Sequence, residues 1–375
     1  MDHRASVAAV RALADGPEAF VAALERAPDY DAAAFEAFLT HHRLLDWVAP
    51  VLVSDRAQQL VSAEFREKLG AYRAARDLRN RELLRESVEI RSGLAEAGIS
   101  CLFLKGFHLG QRFYGDVNRR HQGDIDVLVR SGEFEAALDA LGRLGFDVET
   151  NLDDGKPVAQ RLREIRGWMP SKAPHAITVS RGAIKLDLHW CLNSRSFGRV
   201  AEEGLWAARQ RFQLSGCAFE TLSDLHALEF QLLSLCEDLR RGACREKHFL
   251  DLYFMLRALD PHLDWEDFCA RQREQGVLKA SINVLAVFFT VWECAAEFPR
   301  VVRSLVQRLR LVELHDSAEA LALLERPRGD ALNRLWFRRV YPRSWLRYWA
   351  WRLTRDLPYT LVRLQTSRGF ALPES

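Results

Sequence analysis

Gly123-Asp124-Ile125-Asp126-Val127-Leu128-Val129 decides how this chain is read. Residues of a strand alternate between faces, so Asp124 and Asp126 share one face while Ile125 and Val127 enter the core on the other. Leu104-Lys105-Gly106 precedes this stretch, and Ile184-Lys185-Leu186-Asp187-Leu188-His189 follows it. Asp187 thus offers a third carboxylate from a neighbouring strand. Three hard oxygen ligands so disposed are what a divalent-cation site needs to hold two Mg²⁺ on the phosphates of a nucleoside triphosphate.

The rest of the composition is that of an ordinary soluble globular protein. Of 375 residues, 48% are hydrophobic and 28% charged, and the net charge of +2 names no partner. The seven cysteines include no Cys-x-x-Cys pair. Their odd number argues against a disulfide framework, so a reducing, cytoplasmic setting is expected. Met1 to Asp15 lacks an apolar stretch of the signal-peptide kind. The most apolar run, Val284 to Trp292, is too short to span about 30 Å of hydrocarbon and reads as a buried core helix.

Three regions emerge: helical from 1 to 98, an α/β core from 99 to 195, and helical again from 196 to 375. In the first, alanine- and leucine-rich segments carry helical spacing with no strand, and a helix near Arg79 to Ala97 ends at Gly98, suited to a left-handed cap. The period then changes. Ser100 to Leu104 reads as a strand, Phe107 to Tyr114 as a helix, Asp124 to Val129 as a strand, Glu133 to Leu144 as a helix and Phe146 to Glu149 as a strand. Ala176 to Val179 and Ile184 to Leu188 form a hairpin turning at Arg181-Gly182. Asn151 to Pro174, with three prolines and several basic residues, is expected to be a mobile basic loop. From Ser223 onward, leucines at 225, 228, 232, 235 and 239 restore helical spacing.

Lys105-Gly106, Tyr114, Arg120, the Gly123 to Val129 strand and Ile184 to Trp190, in this order and spacing, resemble the uncharacterised bacterial nucleotidyltransferase family of the polymerase-β-like superfamily. His42 to Pro50 and Arg79 to Leu84 resemble the helical lead-in of that family. The likeness runs over most of residues 40 to 260, with a weaker echo at Asp356-Leu357-Pro358. It implies an α+β fold: a minimal nucleotidyltransferase core, a short mixed sheet with helices, flanked by N- and C-terminal helical regions. It further implies a Mg²⁺-dependent nucleotidyltransferase, with two ions and Mn²⁺ as a substitute. Such an enzyme moves a nucleoside monophosphate from an NTP such as ATP to an acceptor hydroxyl or phosphate. Asp124, Asp126 and Asp187 would be the catalytic metal ligands. Lys105, Gly106, Arg120 and Gly123 would serve the nucleotide, Gly106 by opening a helix whose backbone N–H groups meet triphosphate oxygens. The chain departs from the wider superfamily at Phe107, which stands where a small residue is usual and removes a hydroxyl donor to phosphate. Lys105 and Arg120 are candidates to restore the charge.

Each assignment has a plainer competitor. Lys105 is also read as an exposed strand-end lysine, and Arg120 as a solvent-facing loop residue. His189, on the strand face of Lys185 and Asp187, either orients a ligand or packs beside Trp190. Asp251 reads as a structural ion-pair partner, and Glu237, Asp238, Arg240 and Arg241 as a solvated helix face. The arginine- and tryptophan-rich tail, Arg334 to Arg368, is expected to dock through Trp345 and Trp349. Were it a binding surface for anionic lipid or nucleic acid, the chain would be a catalytically inactive nucleotide- or anionic-surface-binding protein that retains the fold. The acceptor (small molecule, peptide or RNA), the base of the NTP and the oligomeric state have no signature in the sequence.

Overall fold

The computed structural model describes residues 2–54, 57, 59–148, 175–192, 200–308 and 324. Helices α1 (His3–Ala12), α2 (Pro17–Glu25), α3 (Ala32–His41) and α4 (Leu45–Leu52) open the chain. The 34-residue α5 (Ala63–Glu96) follows. It begins well before the Arg79 read from the sequence because the Ser62 hydroxyl caps it, accepting from the Phe65 N–H at 3.1 Å. Its exit is as expected: Gly98, at φ +73°, turns the chain into the sheet.

Among the described residues, seven strands form one mixed sheet: β1 (Cys101–Phe103), β2 (Ile125–Val129), β3 (Asp147–Val148), β4 (Ala176–Arg181), β5 (Ile184–His189), β6 (Gln210–Leu214) and β7 (Cys217–Thr221). Their order is β3-β4-β5-β2-β1-β7-β6. The pairs β2/β5 and β1/β7 are parallel, and the others antiparallel. The sheet therefore continues past residue 195, where the sequence reading had placed the end of the core. Residues 210–221 form a hairpin about Ser215-Gly216, both at positive φ, and β7 hydrogen-bonds alongside β1.

Helices α6 (Gly106–Tyr114) and α7 (Phe134–Arg143) lie within the strand-bearing region. Beyond β5 come α8 (Glu202–Ala207), α9 (Asp224–Arg241), α10 (Glu246–Leu259), α11 (Trp265–Glu274), α12 (Leu278–Trp292) and α13 (Pro299–Val306). The apolar run around Val284 is a buried helix, as its length implied.

The strand alternation divides the interior in two. Ile125, Val127, Val129, Leu186 and Leu188 pack with Leu83, Ile90 and Leu94 of α5 and with Phe134 and Leu141 of α7. On the other face, Leu102 and Leu128 join a larger core built from the N-terminal helices and from α9, α10 and α12. Asp126 and Asp187 project on that second side, and the cleft lies between the sheet and α9 and α10. The loop 151–174, the tail 334–368 and the echo at Asp356 lie outside the described residues.

Candidate active site

Parallel pairing of β2 with β5 sets Asp126 directly opposite Asp187, so two carboxylates stand abreast on neighbouring strands. His189, two residues after Asp187, shares its face. Ligand atoms of Asp126, Asp187 and His189 all lie within 4.8 Å of one another. His189 Nε2 sits 3.2 Å from Asp126 Oδ1. On the strand beyond, Thr178 pairs with Asp187 and its hydroxyl donates to Asp187 Oδ1 at 2.5 Å, fixing that carboxylate. Of the two readings of His189, the structure supports the one that turns it into the site. Its ring also meets Phe230 edge-on at 5.7 Å.

Asp124 precedes β2 and its carboxylate stands outside this trio, exposed but still lining the cleft. The environments separate the two acids of the motif. Desolvation by the cleft walls and then the Asp126 charge push the Asp124 pKa up. Burial also opposes ionisation of Asp126, but the His189 hydrogen bond and the nearby Lys105 and Arg120 charges prevail and hold it at about 2. The surroundings of Asp126 thus favour its anion.

Gly106 opens α6 at φ +50°, and a Cβ there would come within 3.0 Å of Gln122 Nε2. The position needs glycine on both counts. Lys105, just before it, donates to Ser234 Oγ of α9 at 2.8 Å, with its ammonium 4.7 Å from the Phe230 ring centroid. It is therefore a cleft residue rather than a free strand-end lysine. Gly123 is exposed with open space around it and does not line the cleft.

Arg120 lines the cleft but is buried and bidentate to Asp251 of α10, with Nε–Oδ1 at 2.8 Å and Nη2–Oδ2 at 2.9 Å. Tyr114 donates to the same carboxylate at 2.7 Å. The ion-pair reading of Asp251 holds. The guanidinium serves as a fixed positive charge behind Asp126 instead of a solvent-facing group. The loop after it is tied down from α4 and α5. Asp46 accepts from Arg76 Nε at 3.2 Å and from Tyr72 at 2.9 Å, and lies 2.8 Å from His121 Nδ1, while Arg76 Nη2 donates to the Gln122 carbonyl at 2.7 Å. The N-terminal helices thereby hold the loop that delivers Asp124.

The cleft encloses about 280 Å³. Its far wall is a helical stripe of α9, Phe230, Leu233, Ser234, Glu237, Asp238 and Arg241, spaced to share one face. The supposed solvated helix face thus looks into the cleft, because the stripe carrying Glu237 and Asp238 also carries Phe230 and Leu233. Asp238 is pushed up to about 6 by burial, and His248 Nδ1 lies 3.2 Å from it. Lys247, at the start of α10, completes the lining and is pushed down to about 8, first by burial and then by Arg120. No motif in the sequence pointed to Lys247 or His248; only packing of α10 beside the sheet reveals them.

Residues 28–292 match the uncharacterised nucleotidyltransferase family. The chain belongs to that family. This agrees with the resemblance drawn from the Gly123 to Val129 strand and its partners, and it supports nucleotidyl transfer as the activity class. No curated protein matches the chain. Among solved structures, the antibiotic-resistance factor ANT(2'')-Ia is similar at 16% identity and a TM-score of 0.33, over 50% of this chain and 86% of that one. Among the described residues, no helix is long and apolar enough to cross a membrane.

Proposed function

We propose that this family member is a divalent-metal-dependent nucleotidyltransferase that moves a nucleoside monophosphate from an NTP to an acceptor hydroxyl or phosphate. The observation that carries this reading is the convergence of Asp126, Asp187 and His189 ligand atoms within 4.8 Å at the floor of a cleft. Two carboxylate oxygens and an imidazole nitrogen fit a divalent cation, and the surroundings of Asp126 favour its anion. Asp124, on the same side of the chain as Asp126, is the remaining carboxylate available to share a second ion. A bound divalent ion there supplies Lewis acidity toward the acceptor oxygen and the phosphates. Mg²⁺ suits the carboxylates, and the imidazole makes the set equally hospitable to Mn²⁺.

The chain's own groups do the positioning. Gly106 lets the backbone approach the phosphates at the start of α6, and Lys105, held by Ser234, adds fixed positive charge. The acceptor oxygen bonds to the α-phosphorus, the bridge to the β-phosphate breaks and pyrophosphate leaves, with the acceptor proton passing to solvent. The odd, scattered set of seven cysteines is in keeping with a cytoplasmic setting for this chemistry.

The test is a panel of labelled NTPs with Mg²⁺ or Mn²⁺ against metabolite, peptide and RNA pools, following label transfer and pyrophosphate release. Transfer by the wild type that disappears in Asp126→Asn is the expected result. NTP binding without pyrophosphate release in any pool would instead mark a nucleotide-binding protein that keeps the fold.

A further inference from the structure

Five cationic side chains line the cleft: Arg43, Lys105, Arg120, Arg241 and Lys247. Three are committed. Arg120 is bidentate to Asp251, Arg241 Nη2 lies 2.8 Å from Glu237 Oε1, and Lys105 is held between Ser234 and the Phe230 ring. Arg43 and Lys247 make no ion pair or side-chain hydrogen bond with any described residue. They are neighbours through the backbone, since the Lys247 N–H donates to the carbonyl of His42 at 3.3 Å.

The backbone at Arg43 makes its presence informative. Arg43 directly follows the C-cap of α3 at φ +59°, the left-handed conformation that favours glycine. Its N–H donates to the Thr40 carbonyl and that of Leu44 to the Leu39 carbonyl, closing the helix end with bonds any residue could supply. A side chain there is strained relative to glycine. What arginine adds is a guanidinium in the cleft. It adds to the positive charge of Lys247; no described carboxylate lies within ion-pair distance of either, although Asp251 and Asp124 act on Lys247 from farther off. Such a pair is electrostatically satisfied by an incoming anion.

We propose that Arg43 and Lys247 form the polyphosphate subsite of the cleft, binding the β- and γ-phosphates that depart together as pyrophosphate. This rests on reading the cleft as an NTP site. It gives the N-terminal helices a direct share in substrate binding, through the turn between α3 and α4.

The test uses the full chain and inorganic pyrophosphate, titrated calorimetrically with EDTA present so that binding is read apart from metal and from transfer. The expected result is a loss of at least about tenfold in pyrophosphate affinity for Arg43→Gly and for Lys247→Met, with unfolding temperature of Arg43→Gly unchanged or raised. Wild-type binding should weaken as salt rises. If Arg43→Gly proves unstable, Arg43→Gln reports on the same charge with a side chain retained. Affinity within twofold of wild type in a folded Arg43 variant overturns the proposal, as does a wild type that binds no pyrophosphate. Arg43-dependent pyrophosphate binding in a chain that transfers no nucleotide would uphold the subsite while removing the proposed activity. Full transfer with an unchanged KM for NTP in Arg43→Gly would do the reverse.

Discussion

At the level of single residues, the register of β2 against β5 makes Asp126 and Asp187 unequal partners. Asp126 is held as an anion by His189, Lys105 and Arg120, so Asp126→Asn removes a charge the surroundings are built to favour. Transfer should fall by well over tenfold, equivalent to more than about 1.4 kcal/mol of barrier, in protein that stays folded but unfolds at a somewhat lower temperature, because the favoured charge is lost. Residual activity above a tenth in well-folded protein would remove Asp126 from the metal set. Asp187 is held by Thr178, and Asp187→Asn should lower turnover far more than it weakens NTP binding; equal losses in both would make it a positioning residue. Gly106→Ala combines a left-handed φ with a clash on Gln122. It should destabilise the chain by about 1–2 kcal/mol and raise KM for NTP, since Gln122 shares the loop of Asp124. The pairing of Asp126 with Asp187 and the opening of α6 at Gly106 were legible because strand alternation and a glycine before a helix are local signals, whereas Asp124, read as sharing the face of Asp126, lies ahead of β2 and outside the converging trio. His189 was visible only as an ambiguity. Lys247 and Arg43 were silent, because a lone cation in a helix or turn has no pattern until a cleft forms around it.

At the level of elements, the site depends on how α10 is pinned to the loop before β2. Arg120, Asp251 and Tyr114 make that joint, and all three are buried. Asp251→Ala strands a guanidinium without its partner, and chemical unfolding should show about 3–5 kcal/mol of lost stability. Replacing both charged members, Arg120→Met with Asp251→Leu, should recover part of that loss, because desolvation of the charges disappears along with their attraction while the buried Tyr114 hydroxyl loses its acceptor. A double variant as unstable as the single one would mean that the pair does more than satisfy itself. The recovered variant should still lose activity, since Arg120 is one of the charges that favour ionised Asp126. Most elements followed from periodicity: β1, β2, the β4/β5 hairpin, α6, α7 and α12 lie close to where apolar spacing placed them. The β6/β7 hairpin did not emerge, although Ser215-Gly216 between alternating segments is a hairpin signal. β7 gains its place through pairing with β1, a contact distant in sequence. The boundary at 195 failed for the same reason.

At the level of the whole molecule, the N-terminal helices, sheet and C-terminal helices share one large core, which the sequence divided into three regions. Helical spacing shows that a face is apolar but not what it meets, so the closing of α3, α4, α9 and α10 around a cleft was beyond local pattern. That burial also makes acid sensitivity a property of the entire fold. His42, His108 and His226 are each pushed down from 6.5 to about 4, chiefly by burial. Between pH 6.5 and 4 the unfolded chain takes up protons that these folded-state imidazoles refuse, so stability falls as pH falls through that window. Glu229 and Asp238, raised by burial to about 7 and about 6, act the other way. Their contribution is complete in acid and lost as pH rises through those values. His121, His175 and His248 are also lowered, chiefly by burial, so the histidines outnumber the two acids and stability should fall on going from neutral to about pH 4.5. Urea unfolding across this range should show the decline, and stability that holds level or rises on acidification would contradict it. His108 offers the sharper check, because neither of its buried ring nitrogens has a hydrogen-bond partner among the described residues. His108→Leu deletes one group that resists protonation without orphaning another. The variant should match or exceed the wild type at pH 7.5 and lose less stability than it does by pH 4.5.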